Sequence, residues 1–224
     1  MKKIKNQKEG KNVFDKNKVY AIKEALDILE TFPKAKFDES VEVHIKTFID
    51  PKKSDQQIRS SAQLPYGTGR KVKIAAFTAA QEKEAKAAGA DIVGGEDLVE
   101  KISQKGSIEF NVAVATPEMM PRLAKIAKIL GPRGLMPNPK TQTVGPKIGE
   151  MIEALKKGKV DFKSDDGSNI HAMIGKRSFD KEKLAENYKA LLEALNQNKP
   201  VTVKGKLIKN ITLSATMTPG IRVS

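Results

Sequence analysis

The stretch VKIAAFTAAQEKEAKAAGADIVGG, residues 72–95, contains two apolar runs on either side of a helical pattern. VKIAAF is typical of a buried strand. AQEKEAKAAGA after it is typical of a helix that ends near Gly89, because glycine often closes a helix. DIVGG is typical of a second, short strand. A strand, a helix and a strand in this order predict a crossover unit of a parallel sheet.

The same alternation continues to residue 156. EDLVEKISQ predicts another helix, and FNVAVA, residues 110–115, predicts another strand. We expect Thr116 to cap the helix that follows, because Pro117 fits the first turn of a helix. Apolar residues recur at helical spacing there and in the last helix of this region: Met120, Leu123, Ala127, Leu130, Ile148, Met151, Ile152 and Leu155. The pattern predicts an inserted α/β domain, residues 67–156, with a small parallel sheet and flanking helices.

On both sides of this domain the pattern is different. Apolar residues at helical spacing predict one amphipathic helix around residues 22–29 and another around residues 184–195. VEVHIK and ITLSATM alternate apolar and polar residues, which is typical of strands that are buried on one face only. Because the two flanks share this character, we predict one discontinuous α+β domain with an antiparallel sheet, made of residues 1–66 and 157–224.

Both predicted domain boundaries carry glycines. Gly67 and Gly69 lie in PYGTGRK, and Gly158 lies in KKGK. Since two segments of the chain cross between the predicted domains, these three glycines predict a hinge.

The chain has 224 residues and a formal net charge of +14, so its expected partner is a polyanion, nucleic acid first and an anionic membrane surface second. The two flanks together carry a net charge of +10 and the inserted block +4, which makes the discontinuous domain the better candidate for the anion-binding surface. No apolar run reaches the roughly 18 to 20 residues that span a bilayer. Residues 1–18 are charged and lack the apolar segment of a secretory signal, so we expect a flexible basic arm there.

Cysteine is absent, which excludes disulfides, thiolate chemistry and most structural zinc sites. We expect no cofactor and no metal, because His44 and His171 lie far apart in the sequence. Aromatic residues make up 5% of the chain and tryptophan is absent, which argues against a sheet that stacks unpaired bases. An RNA partner is therefore expected to be recognised through its backbone, its 2′-hydroxyl groups and its shape.

The stretch GPRGLMPNPKTQTVG, residues 131–145, has three glycines and three prolines and is expected to form neither helix nor strand. It lacks the pattern of a phosphate-binding loop, because no glycine stands directly before Lys140 and its prolines have no backbone donor. Since glycine-rich dinucleotide loops are also missing, a nucleotide-dependent enzyme is a weak alternative, and the carboxylates beside lysines on helix faces give no support to acid–base catalysis. We interpret the loop as a fixed corner between two helices, in which Arg133 and Lys140 make secondary RNA contacts.

The polar faces of the flank strands are candidates for RNA contact. On one strand three hydroxyl groups follow one another at about 6–7 Å, where they can bond to phosphate and ribose. On the other strand a carboxylate, an imidazole and an amine share one face. The residues are Thr212, Ser214, Thr216, Glu42, His44 and Lys46. An ordinary solvated sheet face is an equally good interpretation of this pattern.

Two shorter stretches have competing interpretations. Lys36 stands beside Phe37, and an aromatic residue at the entry of a strand belongs more often to the core, although a basic-aromatic pair can also stack on a ribose or a base. SDDGSN, residues 164–169, is expected to be a turn rather than a loose cation site, because its residues favour turns.

Several motifs together resemble the ribosomal protein L-one family, the large-subunit protein of the mobile stalk. The loop at residues 131–145 is similar to the family signature, and the likeness extends through these stretches: KFDESVEVHIK, IDPKKSDQQIRSSAQLP, AGADIVGGEDL, VAVATPEMM, IHAMIGKRSF and TMTPG. It covers nearly the whole chain from about residue 18, with the motifs in matching order. The family's architecture, a discontinuous first domain with an inserted α/β domain, agrees with the organisation predicted above.

The resemblance implies a protein without enzymatic activity that binds a structured segment of large-subunit ribosomal RNA beside the exit site, through which deacylated tRNA leaves. Many bacterial members also bind a similar structure in their own mRNA and repress its translation. The implied location is the ribosome in the cytoplasm, with an organellar ribosome as the alternative, and the free protein is expected to be a monomer.

The family's main RNA contacts are made by the first domain. Carried onto this sequence, they fall on the polar face of the 41–46 strand and on Lys36, Phe37, His171, Lys176, Thr216 and Met217, with Thr218 and Gly220 beside them. Thr218 stands where the family usually has glycine, and Gly220 comes later. If that glycine lets the backbone approach RNA, binding differs here. Tyr66 and Ser60 also depart from the family pattern. A ribosome-biogenesis factor of the same fold is the remaining alternative, and such factors tend to lose the signature loop, which is intact here.

Overall fold

The structure is a computed structural model that describes residues 14–15, 17–106, 108–203 and 205–224. Most of the predicted basic arm lies outside the described residues. The chain divides into two compact units. The first unit contains the described residues up to Arg70 and those from Gly158 onward, and the second contains those from Lys71 to Lys157. The boundaries predicted from the sequence are 66/67 and 156/157.

The elements follow one another along the described chain, with two short helices separated by 3-10 turns in the middle. In chain order they are α1 (Ile22–Thr31), β1 (Ser40–Thr47), β2 (Arg59–Gln63), β3 (Ile74–Phe77), α2 (Glu82–Ala87), β4 (Ile92–Gly94), α3 (Glu96–Lys105), β5 (Val112–Ala115), α4 (Met120–Leu123), α5 (Ala127–Leu130), α6 (Ile148–Lys156), β6 (Lys159–Lys163), β7 (Asn169–Lys176), α7 (Lys181–Gln197), β8 (Ile208–Ala215) and β9 (Ile221–Val223). The 3-10 turns are Pro117–Met119, Ala124–Ile126 and Pro139–Thr141.

The first unit has a four-stranded antiparallel sheet in the order β7-β1-β8-β9 and a two-stranded antiparallel sheet of β2 and β6. In β1 every second residue is fully buried, namely Val41, Val43 and Ile45. This face belongs to one hydrophobic core with Leu29 of α1 and Leu191 of α7. Each such side chain contributes about 1.5–3 kcal/mol through its removal from water. The predicted antiparallel sheet with one buried face is confirmed.

Strand β8 ends earlier than its alternation predicts. After Ala215 the chain turns, because the Thr218 backbone N–H donates to the Ala215 carbonyl at 3.1 Å and the Ala215 N–H donates to Thr218 Oγ1 at 2.8 Å. The prediction that Thr216 and Met217 continue the strand is therefore wrong. Met217 is 38% exposed instead of extending the buried row.

The second unit has a three-stranded parallel sheet, as predicted, and the order of its strands is β4-β3-β5. The central strand β3 is buried along its whole length. Ile74 and Ala76 pack in a core with residues of α2 and α6, and Ala75 and Phe77 pack on the other face with residues of α3, α4 and α5. Because helices cover both faces, the strand is a continuous apolar run rather than an alternating one.

The helix predicted after Thr116 is broken into alternating 3-10 and α turns. Pro121 lies inside this segment and has no backbone N–H, so it cannot donate to the carbonyl of Pro117. Thr116 is extended and precedes the first turn, but its side chain makes no capping hydrogen bond and its backbone N–H donates to Phe77 O at 3.1 Å. The predicted side-chain cap is therefore wrong, although Pro117 does begin the first turn.

The loop at residues 131–145 contains one 3-10 turn, so the expectation that it has no helix is wrong at that point. Asn138 organises the turn: its N–H donates to Thr143 Oγ1 at 2.8 Å, and its side chain accepts from the Lys140 N–H at 2.8 Å. Further on, Val144 forms a parallel bridge with Ala115 at the end of β5. These bonds fit the interpretation of the loop as a fixed corner.

Candidate nucleic-acid interface

The open face of the antiparallel sheet carries the polar residues of the central strands. The cross-strand register places His44 opposite both His171 and Thr212, and Glu42 opposite Ser214. We call this group the polar sheet face: Glu42, His44, Lys46, His171, Thr212 and Ser214. The structure thus meets the condition set by the sequence, since the polar residues of β1 and β8 lie on one face. Sequence reasoning did not place His171 against His44.

Four side chains of this region form one row of hydrogen bonds. His44 Nδ1 lies 2.8 Å from His171 Nδ1, and His44 Nε2 lies 3.1 Å from Ser214 Oγ. At the other end, His171 Nε2 lies 3.3 Å from Asp165 Oδ2. The row therefore runs from a carboxylate through two imidazoles to a hydroxyl group.

Two members of the row have shifted pKa values. The hydrogen bond from the Asn169 backbone N–H, at 2.6 Å, is the main reason why the pKa of Asp165 is lowered to about 2. Burial lowers the pKa of His44 and the neighbouring His171 lowers it further, while Glu42, whose carboxylate is 3.9 Å from His44 Nε2, acts in the opposite direction. Asp165 is thus ionised at neutral pH and His44 favours its neutral form.

The segment before β1 and the turn after β8 lie side by side at one end of the sheet. The Thr216 backbone N–H donates to Ser40 O at 3.1 Å, and Thr216 Oγ1 accepts from the Ser40 N–H at 3.1 Å. Lys176 Nζ donates to Ser40 Oγ at 3.3 Å. Phe37 and Met217 are 55% and 38% exposed there. Lys176, Thr216 and Met217 thus meet residues 38–40 at the start of β1, and Lys36 and Phe37 directly precede that segment in the chain. We call these five residues the sheet-end cluster: Lys36, Phe37, Lys176, Thr216 and Met217.

The exposure of Phe37 decides between its two interpretations. An aromatic residue that is more than half exposed adds little to the core, so the core interpretation is wrong for this position. The hydroxyl of Thr216 is partly used within the protein, because it is bonded to the backbone of Ser40. Its role at the sheet end is at least in part to fix the turn.

A buried ion pair connects the chain segments that carry the sheet-end cluster. The side chains of Arg177 and Glu39 are 5% and 1% exposed and bond to each other. Arg177 also donates to Leu29 O at 2.9 Å, in the last turn of α1 where helical carbonyls have no partner within the helix, and to Pro33 O at 3.2 Å just beyond the helix. Glu39 Oε1 accepts from the Met217 N–H at 3.1 Å. One charge pair thus ties α1, β1, β7 and the turn after β8 together.

Thr218 and Gly220 show why this turn tolerates a departure from the family pattern. The backbone φ of Thr218 is negative, so a side chain causes no strain there. A Cβ on Gly220, by contrast, would lie 2.6 Å from Thr212 Cγ2. A side chain at position 220 would therefore displace the methyl group of Thr212.

Within the polar sheet face, Lys46 is bonded to the turn before β7. Its Nζ donates to the carbonyl of Gly167 in that turn, which is the turn predicted for SDDGSN. Arg133 and Lys140 are exposed on the loop at residues 131–145 in the second unit. They are not among the residues gathered on the first unit's sheet.

The three predicted hinge glycines all have a positive φ, of 61°, 69° and 101° for Gly67, Gly69 and Gly158. A Cβ on Gly158 would lie 2.3 Å from Gly67 Cα, so the two passages of the chain touch within the first unit. Asn187 of α7 is fully buried and donates to Gly67 O at 2.9 Å and to Ile174 O at 2.7 Å. The positive φ angles and the close packing explain why glycines stand at these positions without any hinge motion. The hinge stays a prediction.

Sequence reasoning missed Glu39, Asp165, Arg177 and Asn187. Glu39 and Arg177 stand directly beside the ends of two strands, but their meeting depends on a register that alternation does not reveal. Asp165 was considered only as part of SDDGSN, as a turn or a loose cation site, and not as a partner of His171. A polar Asn187 between the apolar positions of an amphipathic helix was the one local signal available.

The described residues contain no group of three or more His, Asp or Glu side chains placed to hold a metal ion. Their helices are also too short or too polar to cross a membrane.

Residues 29–219 match the family described as the Ribosomal protein L1p/L10e family. Among similar proteins, the large ribosomal subunit protein uL1 of Kosmotoga olearia is 48% identical over 223 residues, which are 99% of this chain and 96% of that relative. The proteins of the same name from Thermosipho africanus and Mycoplasma capricolum are 51% and 50% identical. They align with 98% and 96% of this chain and with 95% and 96% of their own lengths. The matches span both units.

Proposed function

Because the chain belongs to the Ribosomal protein L1p/L10e family, whose members are structural and not enzymatic, we propose that it binds large-subunit ribosomal RNA through the first unit. The resemblance inferred from the motifs is confirmed at the level of the family. The proposed RNA-facing surface consists of the polar sheet face and the sheet-end cluster. The RNA would be a folded segment that forms the mobile stalk.

The observation that carries this proposal is the placement of the two groups on neighbouring parts of one sheet. The polar sheet face supplies hydroxyl and imidazole groups in fixed rows, which suits contacts to phosphate oxygens and ribose 2′-hydroxyls. The sheet-end cluster adds the amines of Lys36 and Lys176 and the exposed ring of Phe37, which can stack on a base or a ribose. Together they offer backbone contacts and one stacking contact without a large aromatic platform.

Two further roles belong to the same proposal. On the ribosome, the protein would assist the release of deacylated tRNA at the exit site. Away from it, the same surface would bind a similar structure in the protein's own mRNA and repress translation. Before it binds either RNA, the protein is taken to be a cytoplasmic monomer.

A titration of the full chain with a stalk fragment of ribosomal RNA tests the proposal. At two salt concentrations, log K should fall with log salt by roughly 0.7 to 0.9 for each neutralised phosphate. A scrambled RNA of the same length is the control. Affinity that does not depend on salt, or that is equal for the two RNAs, would refute the proposal.

Co-sedimentation with ribosomal particles tests the proposed location. The protein should travel with mature large subunits and should be released from them by high salt. A protein found only on immature particles would instead be a biogenesis factor of the same fold.

A further inference from the structure

The contact between His44 and His171 has the geometry of a shared hydrogen rather than of a metal site. The ring centroids are 5.0 Å apart while the two Nδ1 atoms are 2.8 Å apart, so the nitrogens lie between the rings and point at one another. A metal ion needs the two lone pairs to converge on a third point, about 2.0–2.1 Å from each nitrogen for zinc. The two imidazoles are therefore joined directly, one as donor and the other as acceptor.

The neighbours of the pair determine which nitrogen carries the hydrogen. The Asp165 carboxylate can only accept, so His171 Nε2 carries a hydrogen, and in the neutral form of this ring Nδ1 is an acceptor. His44 Nδ1 must then donate to it. This leaves His44 Nε2 as an acceptor for the hydroxyl of Ser214. Every polar atom of the row has a partner in this arrangement of neutral rings.

An added proton leads to one outcome at the Ser214 end of the row. Only one hydrogen fits between the two Nδ1 atoms, which are 2.8 Å apart, so the additional hydrogen is on His44 Nε2 whether the shared hydrogen stays on His44 or moves to His171. On His44 Nε2 it would face the carboxylate of Glu42 at 3.9 Å, and Ser214 Oγ would change from donor to acceptor. The hydrogen of the Ser214 hydroxyl would then be free to bond to a phosphate or a 2′-hydroxyl group.

We propose that Asp165 and His171 are positioning residues that act through His44 on the Ser214 hydroxyl, and that RNA binding is coupled to the uptake of one proton at His44 Nε2. The proposal rests on the proposed function, because Ser214 belongs to the RNA-facing surface. It adds a residue, Asp165, and a protonation step to that surface. The proton comes from solvent, and no bond other than N–H is formed.

The surroundings of the pair set the direction of the pH effect. The groups that face it, from the turn and from β1, β7, β8 and β9, are Asp165, Glu42, Lys46, Asn169, Asn210, Thr212, Ser214 and Arg222. RNA phosphates beside His44 stabilise its protonated form, so the pKa of His44 is higher in the complex than in the free protein. Affinity therefore rises as pH falls through the titration of His44 and levels off below it. A difference of about one unit between the two pKa values corresponds to a tenfold gain.

The tautomers of His44 and His171 can be measured in the protein without RNA. The untagged chain has only two histidines, so a long-range ¹H–¹⁵N spectrum at pH 8 contains two ring systems. We expect His44 to carry its hydrogen on Nδ1 and His171 on Nε2. In the His171→Gln variant, His44 should shift toward the Nε2–H form. A wild-type spectrum with both hydrogens on Nε2 would overturn the proposed positioning.

The coupling to RNA is tested by titrations from pH 8 to pH 5.5 at constant salt, with the stalk fragment and the scrambled RNA. The wild-type chain should gain roughly three- to tenfold in specific affinity toward low pH. His44→Gln keeps a polar side chain at this position without an ionisable group, so the ratio of its affinities at pH 5.5 and pH 8 should stay near one, whatever its affinity at pH 8. An equal gain in wild type and His44→Gln would overturn the inference. If the wild type does not prefer the stalk fragment at any pH, both the proposed function and the coupling to RNA are overturned. The tautomers of the two histidines are decided by the spectrum, independently of RNA binding.

Discussion

The two units bury their sheets in opposite ways. The parallel sheet of the second unit has helices on both faces, and its central strand β3 is completely buried. The antiparallel sheet of the first unit is buried on one face, and the other face presents rows of ionisable and hydroxyl groups. A covered sheet leaves only helix surfaces and loops for contact with a partner. An open face holds side chains at the spacing of the strands, about 4.7–4.9 Å, which is a rigid pattern for reading a folded RNA.

The units also differ in how deeply their arginine–glutamate ion pairs are buried. In the first unit the Arg177–Glu39 pair is buried and fixes the turn that bears Met217. In the second unit the Arg122–Glu96 pair is about half exposed, with side-chain exposures of 47% and 53%. A buried charge that loses its partner is far more costly than an exposed one. The comparison therefore predicts that the proposed binding surface depends on a charge pair whereas the covered sheet does not.

The largest effect is expected for Arg177→Met. It leaves the Glu39 carboxylate buried without its cation and removes the donors to the end of α1, so the first unit should lose about 3–5 kcal/mol of unfolding free energy. Hydrogen exchange of the amides in β1 and β7 measures this loss. The matched change Arg122→Met should lower the unfolding free energy of the second unit by less than about 1 kcal/mol. Hydrogen exchange of the β3 amides measures this loss. Equal losses in the two units would contradict the comparison.

Changes at the sheet-end cluster come next. Phe37→Ala and Thr216→Ala should each weaken binding to the stalk fragment by about 1–3 kcal/mol, through a lost stacking contact and a loosened turn. Thr216→Ser keeps the hydroxyl and should bind nearly as the wild type does. Isothermal titration at fixed salt measures these differences.

Three control variants locate the site. Phe48→Ala removes a ring that is also 55% exposed but belongs to the opposite end of β1, and it should change affinity by less than about 0.5 kcal/mol. Arg133→Ala and Lys140→Ala remove exposed charges from the second unit and should also have small effects. If these two cost more than Phe37→Ala, the principal site lies in the second unit.

Sequence patterns predicted the parts of the fold that depend on short-range periodicity. Alternation in VEVHIK placed Val41 and His44 on opposite faces correctly, because a strand fixes the direction of its side chains locally. The bond from His44 to His171 spans 127 residues of sequence and requires the register of β1 with β7, which alternation does not contain. For the same reason the burial of Glu39 beside Arg177 was not foreseen. Local turn chemistry at Thr218, rather than periodicity, ended β8.

Removal of the second unit is expected to have a smaller effect on RNA affinity than the substitutions in the sheet-end cluster. The chain passages at Gly67 and Gly158 touch, so Arg70 and Gly158 can be joined by a short glycine linker without distortion of the first unit. The shortened chain should keep its affinity for the stalk fragment within about tenfold, or 1.4 kcal/mol. Hydrogen exchange in β1 must first show that the sheet is intact. A loss beyond a hundredfold with an intact sheet would assign major contacts to the covered unit.

The smallest effect is expected at Thr218, the departure from the family pattern. Thr218→Gly removes the hydroxyl that accepts from the Ala215 N–H and adds freedom to the unfolded chain, so the first unit should lose about 1 kcal/mol of stability. Because φ is already negative there, a glycine has no strain to relieve, and RNA affinity should change by less than about threefold. Thr218→Ser keeps the hydroxyl and is the control for stability. A tenfold gain in affinity for Thr218→Gly alone would mean that the threonine side chain keeps the RNA backbone away from the turn, and that the open sheet face is not the whole of the binding surface.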